Sequence, residues 1–266
     1  VLRLKVVESR IGAVQVEGNR YFSSNQFLKY LKAKPGDHLR EHPMGHDLYS
    51  MNINPFHQVD VLYSPGSQPD QTDVTLQVWD RRPWRVYSGF DNTGVPGTGR
   101  VRWMAGFEAG NMFFSDHVLN YQYTASLDFH KFQAHTLQYL VPTSFGHTLN
   151  LYGGYAQVHA HLEFPGGRNT GRSYQASVRY EVPMLSDQFL RLQSQFGFDF
   201  KRTNSAIFFQ EIVFSEPVTP FLFTKNVNMT QLTYGLQMLY QTNRHNVEWA
   251  ANVFCSPGRW ISDQSN

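Results

Sequence analysis

Cysteine is almost absent: Cys255 is the only one in 266 residues. A single thiol permits neither an internal disulfide nor a thiolate metal cluster. Charge is scarce as well, at 17% of residues, and nearly balanced at a formal +2. That leaves no polyanion-binding footprint and argues against a nucleic-acid partner. No apolar run approaches the ~20 residues that a membrane-crossing helix needs. A transmembrane β-barrel is untouched by this lack, and by the mean hydropathy of −0.42, because its lipid-facing and lumen-facing residues alternate and average to a polar score. Enzyme signatures are missing too: there is no Gly-x-Ser-x-Gly elbow, no His-Glu-x-x-His and no phosphate-binding loop. His159 and His161 share a strand face without a third ligand placed beside them, and His130 and His135 flank a tight turn. The expectation is a protein without catalysis, cofactor or metal.

Aromatic residues, by contrast, make up 15% of the chain, and their arrangement divides it in two. Residues 11–80 have a mixed pattern. An alternating strand through Val14 and Val16 precedes an amphipathic helix over 25–33, with Ser24 or Asn25 as N-cap and Pro35-Gly36 as its stop. A second helix is predicted over 43–51, ending before Asn54-Pro55, and strands over 58–63 and 73–79. The order β-α-α-β-β describes a compact α+β unit.

After Arg82-Pro83 helical periodicity disappears, and about nine segments with a period of two run from Trp84 to Phe254. In one of them Leu119, Tyr121, Tyr123, Ala125 and Leu127 oppose Asn120, Gln122, Thr124, Ser126 and Asp128. In another Phe196, Phe198 and Phe200 oppose Gln195, Asp199 and Lys201. Each run is ~9–12 residues, the length of a tilted strand crossing a bilayer and about twice that of a soluble strand. Connections alternate in length: 109–116, 142–147, 183–188 and 242–245 are short, while 163–172 and 202–228 on the opposite side read as long loops. Short turns on the module's side and long outer loops are the asymmetry of bacterial barrels. An odd number of strands leaves a bare edge in lipid, so further strands are expected after Asn266. The chain also opens on Val1 in what reads as mid-strand, with no signal peptide, and is taken as an internal piece of a longer precursor.

The segment Gly12-Ala-Val-Gln-Val-Glu-Gly-Asn-Arg-Tyr-Phe-Ser through Lys34-Pro-Gly resembles the start of a POTRA (polypeptide-transport-associated) domain. Trp79-Asp-Arg-Arg-Pro-Trp-Arg-Val-Tyr-Ser-Gly-Phe-Asp-Asn-Thr-Gly is similar to the passage from the last POTRA domain into the barrel of two-partner secretion transporters (TpsB; ShlB/FhaC-like haemolysin secretion/activation proteins) of the BamA-type superfamily. The resemblance implies a fold class of an α+β POTRA module followed by an all-β transmembrane antiparallel barrel, incomplete, with about nine of sixteen strands. Residues 1–10 then end a preceding POTRA domain, 11–82 form a POTRA domain, and 83–266 form the N-terminal part of the barrel. The expected location is the outer membrane, with the POTRA module in the periplasm. The partners implied are an unfolded secreted exoprotein and outer-membrane lipid, with the barrel a monomer. A BamA- or TamA-type insertase, or the barrel and POTRA part of a patatin-like phospholipase, would carry similar segments.

Two sets of candidate residues follow. Gln58, Val59, Asp60, Val61, Leu62 and Tyr63 form a short strand whose edge is suited to pairing with an extended client, or is merely structural. Arg100, Arg102, Glu108, Asp128, Arg179, Glu181, Arg191, Asp199 and Lys201 fall on the polar side of the alternation and are expected to face the lumen. There they form a polar conduit wall or a stiffening ion-pair network.

Overall fold

The computed structural model describes residues 8–161, 167–186, 189–209, 221–242 and 244–257. The expected opening strand at 1–7, and the side chain of His161, lie outside them. The N-terminal unit consists of β1 (Arg10–Glu17), α1 (Ser24–Leu28), α2 (Glu41–Met51), β2 (His57–Pro65) and β3 (Gln71–Asp80), in the predicted β-α-α-β-β order. Its sheet runs β1-β3-β2, with β1 parallel and β2 antiparallel to β3.

Local chemistry explains each boundary. α1 is shorter than its apolar spacing suggests, and its N-cap is Ser23. The Ser23 N–H donates to Gln26 Oε1 at 2.7 Å, while Tyr30 and Leu31 bond back three residues to Phe27 and Leu28, a tight turn that ends regular α-helix. The N–H of Lys32 goes to Asp47 Oδ2 at 2.8 Å, so the helix does not reach residue 33. α2 starts two residues before the predicted 43; Pro43 sits in its first turn, where no intrahelical N–H bond is lost. Phe22, Phe27, Tyr30, Met51, Phe56, Val59, Leu76 and Val78 form the core beneath the helices, each large side chain contributing about 1.5–3 kcal/mol by burial.

The rest of the described chain is one nine-stranded antiparallel meander: β4 (Trp84–Asp91), β5 (Arg102–Met112), β6 (His117–Ser126), β7 (Phe132–Pro142), β8 (Thr148–His161), β9 (Gly167–Ser186), β10 (Leu190–Phe209), β11 (Phe221–Gln241) and β12 (Asn246–Cys255). The expected long loops are a correction. Most of 163–172 and 202–228 is strand, since Arg168 to Ser173 and Arg202 to Phe209 continue the β9–β10 ladder and Phe221 to Asn228 continue β11. The remaining connections, 162–166 and 210–220, lie outside the described residues.

Register sorts the side chains onto two faces. On one, rings from neighbouring strands touch: Phe107 with Tyr121, Tyr155 with Tyr174, and Phe196 with Tyr234. The opposite face carries Gln122, Ser177, Arg179, Gln195 and Asp199, cross-strand neighbours of one another or of Gly and Thr.

One anchor of the N-terminal unit is Asp80, whose Oδ2 accepts the N–H groups of Arg20, Tyr21 and Phe22 at 2.8, 2.6 and 3.1 Å. Asp80→Ala leaves these three donors without their charged acceptor. It is expected to cost about 2–3 kcal/mol, read as a lower denaturation midpoint by tryptophan fluorescence.

Candidate functional site

The N-terminal unit meets the large sheet at the turn from β5 to β6. Phe113, Phe114 and Asp116 hold positive φ there, at 56°, 54° and 63°, a left-handed backbone that costs a non-glycine residue roughly 1–2 kcal/mol. The turn places the Asp116 carboxylate among the helices, 1% exposed. Its Oδ2 accepts the Tyr30 hydroxyl at 2.8 Å. Oδ1 accepts Asn54 Nδ2 at 2.7 Å and meets His57 Nε2 at 2.8 Å. An ionised carboxylate only accepts, so Nε2 carries the imidazole proton. The His57 ring lies edge-on to Phe22 and Phe27, with centroids 4.7 and 5.0 Å away. Burial, reinforced by the Asp116 charge, pushes the Tyr30 phenol far above its ordinary value and keeps it a donor.

Contacts extend from this hub along the same end of the sheet. Gln26 Nε2 donates to Asn111 Oδ1 at 2.7 Å, and Asn54 Nδ2 to the Gly110 carbonyl at 2.6 Å. The Phe56 ring lies where a Cβ on residue 110 would stand, so glycine is required there. Val118 and Leu140, from β6 and β7, pack into the core of the unit. At the β7–β8 turn Lys32 Nζ reaches the Phe145 carbonyl at 3.4 Å, and His46 lies against Gly146. α2 also reaches β10: the Tyr49 hydroxyl is 3.5 Å from Gln193 Oε1, and the Arg191 guanidinium is 5.3 Å from the Tyr49 ring centroid.

The polar face holds the second element of the site. Arg179 Nη2 pairs with Asp199 Oδ2 at 2.6 Å, and Asp199, 2% exposed, also accepts from the Ser177 and Thr233 hydroxyls. Glu181 accepts from Gln195 at 3.1 Å. Arg85 pairs with Glu108 at 2.6 Å, and the Arg102 guanidinium lies 4.0 Å from the Phe132 ring centroid. Lys201 shares this face with Asp199 by register. The structure thus groups Arg102, Glu108, Arg179, Glu181, Asp199 and Lys201 on one face and sets Arg191 at its module end. Arg100 and Asp128 are placed differently from the sequence expectation. Arg100 precedes the first residue of β5, and its carbonyl accepts from Gly94 at 3.0 Å. Asp128 caps the β6–β7 turn, accepting from Ser126 Oγ at 2.7 Å and from the N–H groups of His130 and Lys131.

Residues 58–63 lie in β2, an edge strand. The other edge of the small sheet is covered at its start, where Ile11 N–H bonds to the Asp37 carbonyl and Gly36 N–H to the Ile11 carbonyl. Along β2 the outward groups of Val59 are taken by the Asn52 amide, which donates to its carbonyl at 2.9 Å and accepts from its N–H at 2.7 Å. Antiparallel pairing alternates inward and outward groups, so the next outward N–H and C=O belong to Val61. Sequence reading missed Asn52 and the whole Tyr30–Asn54–His57–Asp116 hub. The hub residues reach Asp116 across 86, 62 and 59 positions of chain; the only signal is a run of polar residues beside apolar positions.

The model of the family described as haemolysin secretion/activation protein ShlB/FhaC/HecB matches residues 70–252. A curated relative, the outer membrane transporter CdiB-2 of Burkholderia pseudomallei (strain 1026b), is 23% identical over 128 residues, 48% of this chain and 22% of the relative. Among solved structures, CdiB from Escherichia coli superposes with a TM-score of 0.79 at 13% identity, over 98% of this chain and 48% of that one. CdiB from Acinetobacter baumannii gives 0.69 at 15% identity, over 94% and 46%. BamA from Haemophilus ducreyi lacking POTRA domains 1–3 gives 0.52 at 12%, over 93% and 49%. These structures share the fold, and the chain spans about half the length of each.

Two expectations test the junction. Asp116→Ala leaves the Tyr30 hydroxyl and His57 Nε2 without their acceptor and Asn54 with one bond fewer, at a cost of about 1–3 kcal/mol for each stranded donor, visible as faster hydrogen exchange in α1 and β2. The second concerns pH. Burial, then Lys32, lowers the pKa of both His46 and His147 below the ordinary 6.5, with Asp47 opposing this at His46. The neutral forms are therefore favoured in the docked state. Their contribution is complete above about pH 6.5 and is lost as pH falls through the lowered values. Hydrogen exchange of α2 should accelerate on acidification, and H46Q/H147Q should flatten that profile.

Proposed function

The chain belongs to the haemolysin secretion/activation protein family ShlB/FhaC/HecB, and we propose that it forms a POTRA module, residues 11–82, and the first strands of the outer-membrane barrel of a two-partner secretion translocator, from residue 83 onward. The module captures an unfolded secreted partner in the periplasm, and the barrel conducts it outward past the polar face. No ATP or metal enters this scheme, since folding of the client outside supplies direction.

One observation carries the reading: the two faces of the meander differ in what they leave bare. On the aromatic face Val86, Phe90 and Val253 are 73%, 75% and 66% exposed. Large apolar side chains bare over so many strands suit lipid and not water. On the other face arginine and carboxylate are paired, as a wet lumen tolerates and lipid does not. The likeness to BamA is one of fold, and no observation favours the insertase or the phospholipase.

Client capture is assigned to the β2 edge at Val61, where an extended chain gains backbone hydrogen bonds with little demand on its sequence. Val61→Pro removes an outward N–H without breaking a β2–β3 ladder bond, and proline is tolerated on such an edge. Cells expressing the full-length gene with this substitution should secrete the co-encoded exoprotein several-fold less, with unchanged transporter in the outer membrane. Export at the normal level would sink the edge as the capture site. Normal export together with defective assembly of other barrels, in cells lacking residues 11–80, would replace translocation with insertion.

A further inference from the structure

Toward the end of the sheet far from the N-terminal unit, arginine interrupts the apolar run of the aromatic face. Along β9, Val178, Ala176 and Tyr174 share this face, and the next residue on it is Arg172. Along β10, Phe198 and Phe200 are followed by Arg202. Tyr174 stands opposite Arg202, and Arg172 opposite Asn204, so the two arginines are diagonal neighbours that can share one ligand. Gln157 stands opposite Arg172, and its amide touches His159 Nε2 at 2.5 Å. The backbone N–H of His159 bonds to the Lys131 carbonyl at 2.8 Å, while the Lys131 ammonium is held by Asp128 at 3.4 Å.

These arginines lack carboxylates. Among the described residues the ion pairs of the large sheet are Arg85–Glu108, Lys131–Asp128 and Arg179–Asp199. Arg172 and Arg202 belong to none and are both exposed. The same strands supply Arg179 with a buried carboxylate on the polar face, so the contrast is one of face. Directly below lie Tyr155 and Tyr174, with ring centroids 5.0 Å apart, the kind of ring that settles at head-group level. From Leu192 to Arg202, β10 rises roughly 33 Å at ~3.3 Å per residue. A tilt of ~40° brings that to roughly 25 Å upright, the height of a barrel's apolar band. The two guanidiniums therefore stand where the outer leaflet's head groups begin.

We propose that Arg172 and Arg202, flanked by His159, bind the phosphate groups of a phosphorylated glycolipid of the outer leaflet. This rests on the membrane-barrel reading. A guanidinium offers phosphate two parallel N–H donors in a fixed fork, and two forks on adjacent strands bridge β9 and β10 through one lipid.

The test uses the full-length protein in neutral detergent with three probes: bisphosphorylated lipid A, the same lipid stripped of its phosphates, and inorganic phosphate. The phosphorylated lipid should bind and raise Tm, and the other two should not. R172Q/R202Q should weaken binding at least about tenfold, the loss of one or more charged hydrogen bonds, while the barrel keeps its heat-modifiable migration. Should the double variant fail to fold, R172Q and R202Q are read singly by the same criterion. Equal binding of the phosphate-free lipid, an equal response to inorganic phosphate, or unchanged affinity in the folded variants would overturn the site. Insertion of the wild-type protein into lipid vesicles is measured alongside. If it fails, the barrel reading falls and the lipid site with it; if it succeeds, the binding data judge the lipid site alone.

Discussion

A single running register governs the large sheet. Strands β4 to β12 each pair with the next in the chain, so a slip of one residue anywhere would exchange the faces of everything downstream. Arg179 and Asp199 would turn toward the aromatic side, and Tyr180 and Phe198 toward the polar one. The register breaks in only two described places within this sheet, between Ala109 and Met112 and between Leu192 and Gln193. Both lie at the end that meets the N-terminal unit. The first precedes the turn that carries Asp116, and the second adjoins Gln193 and Arg191, which meet Tyr49. An irregularity of this kind re-aims side chains without altering the faces farther along a strand. The sheet keeps its alternation and still presents docking groups at one end.

Apolar burial and polar pairing play different parts in that docking. Val118, Leu140 and the Phe56 ring on Gly110 supply attraction that is largely indifferent to angle. The Asp116 hub adds little net attraction, because taking a carboxylate out of water offsets much of what its three donors return. It adds direction. Tyr30, Asn54 and His57 come from three different segments, and all three reach one carboxylate only when the unit sits at one orientation. A rigid junction follows.

What could be read from the sequence depended on whether a pattern is local. Alternation of Tyr174, Ala176 and Val178 with Ser173, Gln175 and Ser177 has a period of two that needs no distant partner, and the nine strands were legible from it. The same signal fails where both faces are polar. Thr203, Asn204 and Ser205 continue β10, yet nothing in them alternates, so the outer parts of β9 to β11 read as loop. Arg100 and Asp128 were misplaced for the opposite reason: their parity agrees with the polar face, but the strands stop short of them. The hub was illegible because its members are separated by up to 86 residues, and no single member differs from an ordinary polar residue near a turn.

The small sheet shows how an edge can stay available without becoming a hazard. An open edge pairs with any extended chain, including another copy of itself. The unit closes the start of β1, at Ile11, with residues 36–39, and closes β2 at Val59 through the Asn52 amide. That amide imitates the strand that would otherwise pair there, and it costs no extra element because α2 already ends beside it. The exposed charge of Asp60, next to the closed position, further disfavours pairing with a second copy in antiparallel register, where like charges would face each other. Only beyond that position, at Val61, does β2 turn its next backbone pair outward.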